Sequence, residues 1–167
     1  MSLSLYPAKE RTLQTTPAPA DVCSGMRPDR FNLQRFVDAQ APVWDGVRAE
    51  LGRGRKSSHW MWFVFPQLAA LGRSQTARFY GISRPDEARA YLDHPLLGPR
   101  LVECCDILLG VSGASARDIF GDVDAKKLRS CLTLFDAVAP GIGTFGKCLD
   151  RYFAGERDPL TLSLLSG

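Results

Sequence analysis

Histidine is scarce in this chain: 167 residues contain two, His59 and His94. The five cysteines, at 23, 104, 105, 131 and 148, form no C-x-x-C pair, and two are adjacent. An odd, irregularly spaced set of thiols excludes a disulfide framework and points to a reducing cytoplasm. With two imidazoles and no zinc-knuckle or finger spacing, neither a metal site nor a cofactor is expected. Long apolar runs are missing as well. No stretch reaches about 18 apolar residues, so no membrane span is expected. Neither sign of charge dominates: 21 Lys and Arg against 18 Asp and Glu leave +3. That excess is too small to predict a nucleic-acid partner without a clustered patch. The one basic run, Arg53-Gly54-Arg55-Lys56, is short and reads as a solvated connection. Also absent are the G-x-S-x-G elbow, the P-loop, the dinucleotide fingerprint and H-E-x-x-H, which removes the chemistries they carry.

What is present is an ordinary globular composition, with 45% hydrophobic and 23% charged residues; that balance supports a buried core and argues against wholesale disorder. Residues 1–28, rich in Pro, Ala, Thr and Ser, lack the charged-then-apolar order of a secretory signal and are expected to be a flexible tail. From about residue 30 onward the apolar residues recur at helical spacing. Residues 29–167 are expected to form one compact, all-α, multi-helix domain. Pro42–Leu51 reads as a helix ended by Gly52 and Gly54. Ser83-Arg84-Pro85-Asp86-Glu87 has the hydroxyl, proline and early acids of a helix start. Ser115–Phe120 reads as a short turn of helix before a longer one capped by Asp122 or Asp124. Thr144 caps the next helix, and Asp158-Pro159 opens the last.

The stretch KSSHWMWFVFPQ, residues 56–67, concentrates two of the three tryptophans beside a histidine. After His59 it is apolar on every side. It is expected to be two buried helical turns over Ser58–Phe65, stopped by Pro66. With RFVDAQ (35–40), LGRS (71–74), YLDHPLLGPRL (91–101), DAKKLRSCLTLF (124–135) and the C-terminal FGKCLDRYFAGERDPLTLSLL, this run resembles the small family called domain of unknown function 1810. The resemblance spans roughly residues 30–165. Some members carry a calpastatin-like label, but nothing in the sequence resembles a protease-inhibitor repeat. The resemblance implies a compact helical fold and no established reaction.

Several residues are candidates for chemistry. His59 is the candidate acid/base, the role an imidazole commonly takes, or else it orients the start of the buried segment. Trp60 and Trp62 are core, or a stacking surface for a planar ring; their N–H groups need partners if buried. Gln67 sits on a rigid corner after Pro66, and Gln40 ends the first helix. Lys127 lies between the helical directions of Cys131 and Leu134. It is expected to pair with Asp124, three residues earlier, or to reach an anionic ligand, with Ser130 beside it. Arg100 stands near a helix start, where the helix dipole disfavours positive charge; it therefore calls for an acid or a bound anion. His94, before Pro95, caps the preceding helix or faces the same site. Together these residues raise the expectation of a pocket for an anionic or nucleotide-like small molecule. Whether the pocket also acts on it is left open. The alternative is a non-enzymatic interaction module with a partner protein.

Overall fold

The computed structural model describes residues 28–167; the tail expected over 1–28 lies, but for Pro28, outside them. The described residues form nine α-helices: α1 Gln34–Gln40, α2 Trp44–Gly52, α3 Met61–Val64, α4 Gln75–Phe79, α5 Pro85–Asp93, α6 Leu97–Gly110, α7 Ala116–Val138, α8 Thr144–Phe153 and α9 Pro159–Ser166. Short 3₁₀ turns cover Ala69–Leu71 and Pro140–Ile142. There are no strands among these residues. The single β-type contact is an isolated parallel bridge between Leu68 and Ile82. The fold is the all-α class that the helical periodicity implies. No helix among the described residues is long and apolar enough to cross a membrane.

Helix α7 is the spine, packing against α5, α8 and α9, while α6 packs against α2, α5 and α8. Phe36, Trp60, Phe65, Tyr91, Phe135 and Phe145 are buried between these elements. Several aromatic pairs meet at close range, including Phe36 edge-on to Tyr91 at 5.1 Å and Phe135 against Phe145 at 5.7 Å. Burying the apolar face of an amphipathic helix supplies most of its stability, so this shared core is what holds the short helices. Cys104, Cys105, Cys131 and Cys148 lie in the same core as free thiols; burial pushes the Cys131 thiol well above its usual range, so it stays protonated and behaves as a small apolar group.

Local chemistry explains where the helices start. Ser115 and Asp118 form a reciprocal capping box at α7, and Asp158 caps α9 by accepting from the Thr161 amide. Gly98 brings α6 against the end of α5 so closely that a Cβ there would stand 1.9 Å from the Leu92 carbonyl oxygen. At Gly121 the backbone turns to φ 78°, ψ 174°, and this kinks α7. The non-helical angles at Gly121 therefore separate two helical segments of α7, as the sequence reading of Ser115–Phe120 and a longer helix after it expects.

Three local expectations shift. Helix α2 begins at Trp44, and Pro42 lies in the turn before it. Thr144 is the first residue of α8, not its cap, which is Gly143. The buried segment is also shorter than two turns, since α3 starts only at Met61. The cause lies in Glu50, at the end of α2. Its Oε2 accepts hydrogen bonds from the Ser57 amide (2.8 Å), the Ser58 amide (3.1 Å) and the Trp60 indole (2.9 Å). Those donors wrap the chain around a carboxylate and hold it out of the helix until Met61.

Candidate functional site

One cleft brings together three of the residues singled out in the sequence. It has a volume of about 580 Å³ and lies between α7, the segment joining α3 to α4, and the start of α9. Gln67 borders it from the corner after Pro66, and Lys127 and Ser130 border it from α7. Arg73, Lys126 and Arg129 add three more cations, against the single carboxylate of Asp158. That carboxylate is already engaged: it accepts from the Thr161 hydroxyl and amide, and Ser130 Oγ lies 3.1 Å away. Four positive side chains against one committed lining acid leave the cleft with an excess of positive charge, which Asp124 beside Lys127 and Glu156 beside Arg129 offset in part.

The cations are not equivalent. Lys127 Nζ donates to Asp124 Oδ1 at 3.0 Å and lies 4.2 Å from the centre of the Trp62 ring, where the ring's quadrupole attracts the cation. Lys56 Nζ approaches the other oxygen of the same carboxylate at 2.9 Å and sits 5.1 Å from the Trp60 ring centre. Burial works against ionisation of Asp124, but hydrogen bonds and charge from Lys56 and Lys127 outweigh it and hold its carboxyl below the usual range. Two ammonium groups thus share one carboxylate at the edge of the cleft. Arg129 donates to the Glu156 and Arg157 carbonyls and lies 3.5 Å from Glu156 Oε2. Arg73 and Lys126, both exposed, make no side-chain hydrogen bond or ion pair among the described residues.

The other predicted residues lie elsewhere. Gln40 is buried and donates through Nε2 to the Phe63 carbonyl (2.7 Å) and the Tyr91 hydroxyl (3.1 Å). Its Oε1 accepts from Arg100 at 3.3 Å, and the Arg100 guanidinium lies 4.5 Å from the Trp44 ring centre. The partners of Arg100 are therefore an amide and an indole. Trp60 is buried, with its N–H given to Glu50, and Trp62 lies half-buried beneath Lys127. His94 is the C-cap of α5, its amide donating to the Ala90 carbonyl, and its Nδ1 accepts from the Leu96 and Leu97 amides where α6 begins. His59 is exposed on the loop before Trp60, with no side-chain hydrogen bond among the described residues, and it does not line the cleft.

Sequence reasoning passed over Glu50, Arg73, Lys126 and Arg129, and it read Lys56 as part of a solvated connection, whereas its side chain is largely buried against Asp124. For Glu50 a signal existed, because a buried indole N–H and two serine amides in a row require an acceptor. The exposed cations leave no comparable mark, since a solvated lysine and one facing a cleft have the same local sequence. A second cleft, about 770 Å³, opens between α5, α6 and the Pro140–Ile142 turn. Leu92, Val102, Ile107 and Ile142 make it apolar, and its charged groups are Glu103 and Asp106. It is larger but contains no cation and none of the residues picked from the sequence.

A family model described as "Protein of unknown function (DUF1810)" matches residues 30–165. Among solved structures, the conserved hypothetical protein Rv1873 from Mycobacterium tuberculosis is similar, with 50% identity and a TM-score of 0.82. The similarity covers 83% of this chain and 99% of that one. No curated protein matches.

Proposed function

We propose, on the premise that this chain belongs to the DUF1810 family of proteins of unknown function, that it binds an anionic small molecule in the cleft beside α7. The observation that carries this reading is the convergence of Gln67, Lys127 and Ser130 with Arg73, Lys126 and Arg129 around one committed carboxylate. Arg73 and Lys126 supply donors that no described protein group uses. Lys127 is fixed in direction by Asp124 and Trp62, and Arg129 by two carbonyls. A bound anion would thus meet two ordered cations and two that close onto it, and ordering in advance lowers the cost of binding. The proposal is binding; it assigns no reaction, and His59 has no place in this cleft.

A thermal-shift screen against inorganic phosphate and phosphorylated metabolites tests the reading. The expected result is a rise in Tm that weakens with added salt and is largely lost in Arg73→Ala/Lys126→Ala. Arg100→Ala, which removes a cation stacked on Trp44 outside the cleft, keeps the rise while lowering the unliganded Tm. A panel without any shift, or a shift that survives the double substitution, overturns it. The alternative of an interaction module draws on the exposed leucines 160, 162 and 164 of α9. It expects a stable complex with a partner protein and no ligand-induced shift.

A further inference from the structure

The cleft has two halves of different chemistry. One holds the cations already described. The other is aliphatic: Leu71, Val123 and Leu160 line it, and Val123 and Leu160 remain 68% and 65% exposed. Such large apolar side chains left open in one cleft lose water from their surfaces only when something else covers them. No aromatic ring lines the cleft. The nearby indoles are occupied, with Trp60 buried against Phe65 and Phe120, and Trp62 facing Lys127. A flat nucleobase therefore finds no stacking platform there, whereas a saturated chain finds three aliphatic side chains beside a cationic end.

From this division we infer that the ligand is an aliphatic amphiphilic anion, with a phosphate or carboxylate head held by Arg73, Lys126 and Lys127 and a hydrocarbon body laid over Leu71, Val123 and Leu160. The inference rests on the anion-binding reading above and narrows it to one ligand class. Each half of the cleft makes a separate demand. The head needs charge and hydrogen-bond acceptors, which Arg73 and Lys127 would engage through several N–H donors. The body needs only apolar area, and its contribution grows with each methylene removed from water.

The test is calorimetric titration of the full chain with methyl, butyl, hexyl and octyl phosphate, kept below micelle-forming concentrations. Octanol and adenosine monophosphate serve as comparators. The expected result is an affinity that rises roughly two- to fourfold per added methylene, with octanol far weaker than octyl phosphate and adenosine monophosphate no tighter than butyl phosphate. Val123→Ser/Leu160→Ser changes two exposed side chains. It should flatten the chain-length dependence, weakening octyl phosphate far more than methyl phosphate. Arg73→Ala/Lys126→Ala should weaken every phosphate by a similar factor. A flat chain-length series, or adenosine monophosphate binding more tightly than octyl phosphate, overturns the inference while leaving the anion site standing. If neither inorganic nor methyl phosphate binds, the anion-site reading itself fails. Co-sedimentation with phosphatidic acid vesicles then separates the two sources of this chemistry: pelleting with vesicles indicates a membrane-borne ligand, and octyl phosphate binding without pelleting indicates a free one.

Discussion

The Glu50 carboxylate accepts four hydrogen bonds, from the Ser57 and Ser58 amides, the Ser58 hydroxyl and the Trp60 indole. Burial raises its pKa, but these donors more than reverse that and hold it down to about 2, against an ordinary value of 4.5. Its folded-state pKa is therefore depressed, so its contribution to stability is fully present above about pH 4.5 and is lost as pH falls through about 2. At about 1.4 kcal/mol per pKa unit, the contribution at neutral pH is on the order of 3 kcal/mol. Glu50→Gln should lower unfolding stability by that order at pH 7, and the difference from the native sequence should shrink steadily from pH 4.5 towards pH 2. Urea denaturation at several pH values reads this; a gap that stays constant with pH would show that Glu50 acts only through shape. Individual residues also show what a sequence can reveal. Lys127 and Asp124 pair at a three-residue spacing, so their contact is legible on the helix itself. Arg100 was conspicuous for its position in the helix dipole. Its partners, Gln40 and Trp44, are more than fifty residues earlier and carry no charge that would identify them.

Helices were legible where the signal is periodic and local. Proline with two acids in the first turn opens α5, the turn of helix read over Ser115–Phe120 opens α7, and Asp158-Pro159 opens α9. The start of α3 was not legible, because what delays it is a carboxylate from another helix. The kink in α7 was legible as a break between Phe120 and a helix beginning near Asp122. Its backbone angles lie in a region that essentially only glycine occupies. A Cβ at Gly121 would have nothing within 4 Å, so Gly121→Ala isolates the backbone cost from any clash. The expected loss is about 1–3 kcal/mol, read as a drop in Tm with helical content retained. An unchanged Tm would mean that α7 straightens freely and that the bend does not position Lys126 and Lys127 relative to Arg73. The Pro66 corner acts in the same way, ending α3 and delivering Gln67 to the cleft.

Across the whole molecule, a formal charge of +3 among 39 charged Lys, Arg, Asp and Glu residues is close to balance (21 and 18). The positive excess of the cleft is therefore a local arrangement made by the fold. Residues 67–73, 123–130 and 158–160 come together only because α7 packs along α9, which in turn meets the Ala69–Leu71 turn. The all-α class followed from periodicity alone. The site followed only in part, because convergence of distant segments is a property of packing. Gln67, Lys127 and Ser130 met in one place; Gln40 and Arg100 met in another; His59 and His94 joined neither. The measurement that tests the central claim most directly is an NMR titration of the uniformly ¹⁵N-labelled chain with inorganic phosphate, following every backbone amide. The account predicts saturable shifts confined to the amides around Gln67–Arg73, Val123–Ser130 and Asp158–Leu160, absent in Arg73→Ala/Lys126→Ala. Saturable shifts centred on Arg100 or His59, or no saturable shift at all, would contradict it.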